Sequence, residues 1–260
     1  MKHSDLNLFK ERGEKIVCLT AYDASMAKLI DDSGVDVVLI GDSLGMVIQG
    51  HKNTRSVTMQ DMLYHTEIVA NSCQQALVIA DMPFQSYDSS ELALTNAQNL
   101  VNAGADMVKI EGGQEHEEVF RVLSSNNINI CGHLGLQPQK VTESSEYKIQ
   151  GKDENSAKLI LSDALLLESL GISSLVLECI PSALAKEVSS KLNIPTIGIG
   201  AGKDCDGQVL VCYDMLGITQ GKLPRFVRNF VSTEGTIPLA ISAFVKEVKA
   251  GTFPSTSESY

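Results

Sequence analysis

Eight short apolar segments, rich in β-branched residues, alternate along the chain with segments of helical period. Such runs are typical of strands buried on both faces, and the helices between them supply the crossovers that parallel strands require. The chain has 260 residues and no linker-like segment, close to the usual barrel size of about 250 residues. We therefore predict an α/β fold, a single (β/α)8 TIM barrel over residues 1–260, with an open doubly wound sheet as the alternative. The predicted strands are residues 16–20, 35–40, 76–80, 106–110, 128–132, 174–177, 195–199 and 208–212.

Helix signals occupy the segments between these strands. The first residues, 1–12, predict a short amphipathic N-terminal helix with Ser4 or Asp5 as its cap. The spacing of Thr58 and Asp61 is typical of a capping box, and an apolar stripe of helical period follows it. The other helices are predicted at residues 23–33, 90–103, 114–124, 155–170, 182–192 and 238–249.

Four connecting segments have a composition of their own. Residues 41–50 predict a glycine-rich loop, and the polar residues after 249 predict a loose tail. Residues 136–151 show no clear period, and a loop of that length inside a compact domain is usually functional, so we predict a lid. The glycines of 197–202 are arranged like those of a phosphate loop, but no helix pattern follows, which favours a tight turn.

The composition restricts the partners and the environment that we expect. A net charge of −11 without clustered Lys or Arg argues against nucleic acid, and an anionic substrate would need local positive charge. We see neither a signal-peptide pattern nor an apolar run of about 18 residues, so we expect a cytoplasmic protein without membrane contact. Six cysteines without CxxC or CxxH spacing predict buried, reduced thiols rather than disulfides or metal ligands.

Polar side chains stand at the carboxyl ends of several predicted strands. Because a parallel barrel brings these ends together at one mouth, we expect the side chains to converge there. Alternation along the fourth strand places its two charged residues on the same face. The residues are Asp42 and Ser43 after strand two, Asp81 after strand three, Lys109 and Glu111 at strand four, His133 after strand five and Glu178 after strand six.

The acidic residues Asp42, Asp81 and Glu111 predict a metal site. Two carboxylates about 4 Å apart repel by roughly 4 kcal/mol at an effective dielectric near 20, so converging acids require a cation. Oxygen ligands without His or Cys suit a hard ion, and Mg²⁺ is the one that retains several waters. The alternative is that each acid only caps the helix that follows it.

The remaining polar residues predict separate roles. Glu178 has apolar neighbours and no basic residue near it in the sequence. Apolar surroundings raise the pKa of a carboxyl group, and a raised pKa suits a general base. Lys109 either pairs with an acid or holds an anionic substrate group, to which Ser43 donates a hydrogen bond. For His133 we favour a hydrogen-bonded ring that shapes the pocket over a catalytic role.

Distinctive short motifs follow one another from near the start of the chain nearly to its end. They are residues 19–23, 41–45, 80–84, 108–113, 132–136, 177–181, 198–202 and 206–208. The set resembles the ketopantoate hydroxymethyltransferase (3-methyl-2-oxobutanoate hydroxymethyltransferase) family. The resemblance implies a (β/α)8 barrel, Mg²⁺, and the transfer of a hydroxymethyl group from 5,10-methylenetetrahydrofolate to the α-keto acid 3-methyl-2-oxobutanoate, which forms ketopantoate for pantothenate biosynthesis.

Carried over to matching positions, the resemblance implies that Asp42 and Asp81 bind the metal and that Glu111 supports it through water. It further implies that Ser43 and Lys109 bind the keto acid. The proton acceptor would be the glutamate at 178.

The chain departs from the family pattern at one position, and two alternative functions are compatible with its sequence. Relatives usually carry glycine before the tyrosine of 144–151, where this chain has Glu146, and this puts the flexibility of the loop in doubt. The alternatives are a Mg²⁺-dependent C–C lyase of the phosphoenolpyruvate and isocitrate lyase kind, and a non-catalytic metal-binding assembly protein. Family resemblance implies a homo-oligomer, and residues 226–230 together with the last predicted helix are a candidate contact with a neighbouring subunit.

Overall fold

The protein folds as a closed barrel of eight parallel strands. In the computed structural model, which describes residues 5–142 and 147–260, neighbouring strands pair in chain order and the last strand pairs with the first. This closure confirms the predicted (β/α)8 barrel and excludes the open sheet. The strands, each within three residues of its predicted bounds, are β1 (Ile16–Thr20), β2 (Val37–Ile40), β3 (Leu77–Asp81), β4 (Met107–Glu111), β5 (Ile130–Gly135), β6 (Ser174–Glu178), β7 (Thr196–Ile199) and β8 (Gly207–Leu210).

Helices connect the strands, and capping side chains mark where several of them begin. The side chain of Thr58 accepts the backbone N–H of Asp61 while Asp61 accepts that of Thr58, which confirms the capping box. A short helix lies within the predicted loop of 41–50. The helices are α1 (Asp5–Arg12), α2 (Ala24–Asp32), α3 (Leu44–Val47), α4 (Met59–Ala70), α5 (Ser90–Asn102), α6 (Glu117–Ser125), α7 (Glu154–Ser169), α8 (Ser182–Lys191), α9 (Cys212–Met215), α10 (Val231–Glu234) and α11 (Ile237–Lys249).

Two apolar cores hold the barrel together. The larger core lies between the outer face of the sheet and the helices, and the smaller one fills the barrel interior. Helix α1 closes the amino end of the barrel, since Leu6 is fully buried in the interior core and Phe9 packs against it. Ser4, one of the two expected caps of this helix, lies outside the described residues.

The interior of the barrel changes from apolar to charged toward the carboxyl ends of the strands. Successive side chains of a strand alternate between faces, so a residue two positions after an interior one also faces inward. Four strands place an apolar residue of the interior core first and a charged or imidazole side chain two positions later. The pairs are Ile79 and Asp81, Met107 and Lys109, Cys131 and His133, and Val176 and Glu178.

The C-terminal segment packs against the barrel, so the predicted loose tail is wrong. Phe253 is buried, and the guanidinium of Arg228 forms an ion pair of 2.6 Å with Glu258. Phe226 and Phe230 are also buried within the chain itself. The two aromatic rings of 226–230 therefore belong to the core of this chain, where Tyr260 and Phe253 pack against them, and contact of the segment with a neighbouring copy stays a prediction.

The glycine-rich segment 197–202 forms a tight turn after β7. Gly200 and Gly202 have φ angles of +60° and +81°. A Cβ atom at Gly200 would come within 2.6 Å of the Phe226 ring, so glycine is required for this close approach. The packing against a ring accounts for the glycine and agrees with the predicted tight turn.

The thiols agree with the expectation of buried, reduced cysteines. All six cysteines are free, and five of them are buried. Burial raises the pKa of Cys131 to about 11, which keeps this thiol protonated near neutral pH. Over residues 5–142 and 147–260, no helix combines the length and the apolarity that crossing a bilayer requires.

Candidate active site

The first two predicted metal ligands lie side by side at the mouth of the barrel. Asp81 is the last residue of β3, and Asp42 follows β2 in a tight turn. The backbone N–H of Asp42 donates to Oδ2 of Asp81 at 3.0 Å. A Cβ atom at Gly41 would lie only 2.6 Å from Oγ of Ser43, so a side chain at this position would displace the serine hydroxyl. The sequence prediction that the two acids meet is therefore supported by their geometry.

Lys109 supplies the positive charge between these acids. Its ammonium nitrogen lies 2.9 Å from Oδ1 of Asp81, and both side chains are about 95% buried. Asp81 and Lys109 are direct neighbours in the register of β3 and β4. Burial lowers the pKa of Lys109, but the charges of Asp81, Glu111 and Asp42 outweigh burial and raise the pKa above its usual value. Lys109 is therefore a fully charged, buried cation.

A chain of charged groups links the third acid to the predicted general base. Nδ1 of His133 lies 3.4 Å from Oε1 of Glu111, and Nε2 lies 3.2 Å from Oε2 of Glu178. Burial and the charge of Lys109 lower the pKa of His133, but the hydrogen bond and charge of Glu111 and the hydrogen bond to Glu178 outweigh them and raise the pKa to about 9. The imidazole thus holds both carboxylates in place.

The surroundings of Glu178 differ from those expected. Its sequence neighbours are apolar, but β5 lies beside β6 and places His133 against the carboxylate. The expectation of apolar surroundings was therefore wrong. The side chain of Glu178 is 13% exposed, so it reaches the mouth while His133 contacts one of its oxygens.

The carboxylates of the predicted metal site repel one another, because the positive charge of Lys109 does not balance all of them. Burial and the charges of Asp81 and Glu111 raise the pKa of Asp42 well above its usual value, although Lys109 and a hydrogen bond from Gln139 act in the opposite direction. A divalent cation would relieve this repulsion, and carboxylate oxygens are ligands that Mg²⁺ prefers. The donor set therefore fits Mg²⁺ in charge and in chemistry.

The side-chain positions also restrict how such an ion would be held. Over residues 5–142 and 147–260, no three His, Cys, Asp or Glu side chains come close enough to hold an ion on protein ligands alone. An ion on Asp42 and Asp81 would therefore take its remaining ligands from water and substrate, as Mg²⁺ commonly does.

Two polar residues at the site were missed by the sequence analysis. Tyr22 shares a hydrogen bond of 2.8 Å between its hydroxyl and Oγ of Ser43. Gln139 is buried and donates to Oδ2 of Asp42 from its side chain and to Oε2 of Glu111 from its backbone N–H. Gln139 belongs to the loop of 136–151 that was predicted to be functional, and that was the available signal for it.

The same loop brings a tyrosine to the mouth. Burial and the charges of the site carboxylates raise the pKa of Tyr147 to about 12, and its hydroxyl lies 3.8 Å from the sulfur of Met46. The lid behaviour of 136–151 stays a prediction. Glu146, the departure from the family pattern, lies outside the described residues.

Solved structures of similar shape share the barrel. A phosphonopyruvate hydrolase, solved in complex with oxalate and Mg²⁺, superposes with a TM-score of 0.63 at 11% identity over 81% of each chain. A 2,3-dimethylmalate lyase of the PEP mutase/isocitrate lyase superfamily superposes with a TM-score of 0.60 at 14% identity, over 83% of this chain and 82% of its own. At such identity the likeness concerns the fold alone. Fold and site together define a (β/α)8-barrel enzyme with an acidic site at the carboxyl ends of its strands.

Sequence comparison identifies the family. A family profile described as ketopantoate hydroxymethyltransferase matches residues 1–256. Two relatives named 3-methyl-2-oxobutanoate hydroxymethyltransferase are similar over 255 residues and 98% of both chains, at 57% identity for Vesicomyosocius okutanii subsp. Calyptogena okutanii and 58% for Ruthia magnifica subsp. Calyptogena magnifica. The chain belongs to the ketopantoate hydroxymethyltransferase family and is a transferase. The non-catalytic alternative is therefore wrong, and the lyase alternative is supported by the shared fold alone.

Proposed function

We propose that this enzyme transfers a hydroxymethyl group from 5,10-methylenetetrahydrofolate to 3-methyl-2-oxobutanoate, with Mg²⁺ as cofactor, and so forms 2-dehydropantoate for pantothenate biosynthesis. Membership of the family supports the reaction, because its curated relatives carry the name of this activity. The structural observation that carries the proposal is the convergence of buried acids from β2, β3 and β4 around one lysine. Such a cluster suits an anionic substrate that is bound together with a divalent ion.

The proposed metal ligands are Asp42 and Asp81, with Glu111 supporting the ion through water. When bound, Mg²⁺ supplies a Lewis acid that favours loss of a proton next to the keto group. The three carboxylates are held in place by the chain itself, through the backbone N–H of Asp42, the ammonium of Lys109 and the imidazole of His133.

The proposed substrate contacts are Lys109 and Ser43. Lys109 is charged and buried, so its attraction for a substrate carboxylate is screened less than that of a surface lysine. Lys109 together with the bound ion would supply the local positive charge that offsets the repulsion that a chain of net charge −11 exerts on an anion. The hydrogen bond between Tyr22 and Ser43 holds the serine hydroxyl in a defined position.

Glu178 is the proposed general base. Its carboxylate accepts the proton from C3 of the keto acid. Water breaks one of the two C–N bonds of the donor's methylene bridge and leaves a hydroxymethyl group on the other nitrogen. C3 then forms a bond with that carbon as the second C–N bond breaks, so that C3 carries the hydroxymethyl group, the folate nitrogen takes up a proton, and tetrahydrofolate is released. His133 contacts Oε2 of Glu178 at 3.2 Å and thereby orients the base without touching the substrate.

Replacing Glu178 with glutamine tests this assignment. We expect Glu178→Gln to bind Mg²⁺ and keto acid as before, because neither contact involves this residue. The exchange of the C3 proton with solvent D₂O, followed by proton NMR, should fall by about 10²–10⁴-fold, as for loss of a general base.

Glu187→Gln provides the matched control, since Glu187 is an exposed residue of α8 that pairs with Lys191. We expect this variant to exchange the C3 proton at the normal rate. Normal exchange in Glu178→Gln would remove Glu178 from the mechanism. A transferase whose turnover does not depend on the folate donor would contradict the proposed reaction itself.

A further inference from the structure

Gln139 connects two of the proposed metal-binding acids. Its side-chain amide nitrogen donates two hydrogen bonds of 2.9 Å, one to Oδ2 of Asp42 and one to the backbone oxygen of Met82. Its backbone N–H donates to Oε2 of Glu111 at 3.0 Å. A single residue of a loop therefore holds carboxylates at the ends of β2 and β4, with the end of β3 between them.

The orientation of this amide is determined by its partners. The hydroxyl of Tyr87 donates to Oε1 of Gln139 at 2.5 Å, so the oxygen of the amide has a donor and its nitrogen has two acceptors. A flipped amide would place its oxygen against the carboxylate of Asp42 and against a carbonyl oxygen, which is unfavourable. Arg55 also donates to the backbone oxygen of Gln139 at 2.7 Å and stacks over Phe84.

We propose that Gln139 is a positioning residue that holds Asp42 and Glu111 in the arrangement required for binding the divalent ion. The inference rests on the proposed function, because it assigns a role toward the same ion. Gln139 itself does not touch substrate or ion. It uses its N–H groups to neutralise part of the carboxylate charge and to restrict the carboxylates to one geometry.

The need for such a residue follows from the electrostatics of the site. The charge of Glu111 disfavours ionisation of Asp42, whereas the hydrogen bond from Gln139 favours it. Hydrogen bonds from an amide stabilise the ionised form of a buried carboxylate without adding a competing cation. Residues that hydrogen-bond to metal ligands in this way commonly change metal affinity by about 10–100-fold when they are replaced.

The test is the affinity of the keto-acid-free enzyme for Mg²⁺, measured by isothermal titration calorimetry. Gln139→Met retains the backbone N–H to Glu111 and the length of the side chain but removes both amide donors. We expect its Mg²⁺ affinity to fall by about 10–100-fold. Tyr87→Phe leaves the amide in place without its anchor, and we expect a smaller loss in the same direction.

A second measurement separates positioning from general damage to the fold. If Gln139 acts on the ion, saturating Mg²⁺ should restore the C3 proton exchange of Gln139→Met toward the normal rate. Damage to the fold would not be reversed in this way. Gln137→Met is the matched control two residues earlier in the same loop, and we expect it to bind Mg²⁺ normally.

The inference is overturned if Gln139→Met folds and binds Mg²⁺ within about twofold of the unaltered enzyme while Asp81→Ala loses binding, a result that leaves the proposed function intact. If Gln139→Met does not fold, unchanged affinity in Tyr87→Phe overturns it. Failure of the unaltered enzyme to bind Mg²⁺ would remove the metal from the proposed function and this inference with it.

Discussion

Replacing Lys109 with methionine would show how much the buried ion pair contributes to the fold. At 2.9 Å and an effective dielectric of about 20, the attraction between Lys109 and Asp81 is about 6 kcal/mol. The variant also avoids the cost of burying the ammonium group, so the net effect is smaller. We expect Lys109→Met to lower the free energy of unfolding by about 3–5 kcal/mol at neutral pH, as when one partner of a buried pair is removed.

The pH dependence of this loss follows from the neighbouring groups. Lys109 lowers the pKa of Asp81 and of His133, so both pKa values rise when the lysine is removed. Asp81 of the variant then binds a proton more readily, and a neutral carboxyl group does not require the lost cation. The destabilisation should therefore shrink as the pH falls from neutral into the mildly acidic range.

Urea unfolding in the presence of EDTA measures this effect. The chain contains no Trp, so far-UV circular dichroism is the suitable signal. Lys158→Met is the matched control, because Lys158 forms an exposed ion pair with Glu154 one helical turn away and such pairs contribute about 0.3–0.5 kcal/mol. Equal destabilisation by Lys109→Met and Lys158→Met would refute the argument that burial gives the pair its strength.

Two further predictions concern other buried carboxylates. Burial raises the pKa of Asp31, but its hydrogen bonds from the three backbone N–H groups of 74–76 lower the pKa overall. Asp31→Asn should therefore lower the free energy of unfolding, measured with urea at neutral pH, by about 2–3 kcal/mol. This difference from the unaltered protein should disappear below about pH 4, as the carboxylate of the unaltered protein becomes protonated. Because folding raises the pKa of Asp42, the metal-free enzyme should lose stability as the pH rises from about 4 toward neutral. In EDTA at neutral pH, Asp42→Asn should therefore be more stable than the unaltered enzyme. The same pH dependence of stability in both proteins would contradict this expectation.

The sequence was sufficient to predict the strands and the polar residues at their ends. A strand buried on both faces needs an apolar run, and the run ends where the chain reaches the mouth of the barrel. Two local features can be read from the sequence without knowledge of the fold. They are the position of Asp81 directly after such a run and the two-residue spacing of Lys109 and Glu111. The closed barrel then brings them together, as the ion pair of Lys109 with Asp81 illustrates.

Contacts between distant segments were not predictable from the same signals. Glu178 has apolar neighbours in sequence, yet His133 approaches it from the adjacent strand and changes its surroundings. Likewise, the tail after α11 reads as polar, but Phe253 is buried and the carboxylate of Glu258 pairs with Arg228. In each case the contacting residue is distant in sequence, so the contact cannot be predicted from local sequence patterns.

Gln139 shows why the loop residues of such a site are the hardest to predict. An amide side chain has no preferred position in a strand or a helix by which its role could be recognised from sequence. The role of Gln139 depends on contacts with four separate segments. Tyr87 orients its oxygen, Arg55 holds its backbone, and Asp42 and Glu111 receive its N–H groups. Strand-end acids can be predicted because the barrel alone brings them together, whereas the residue that holds them in one geometry becomes recognisable only once all of these segments are in place.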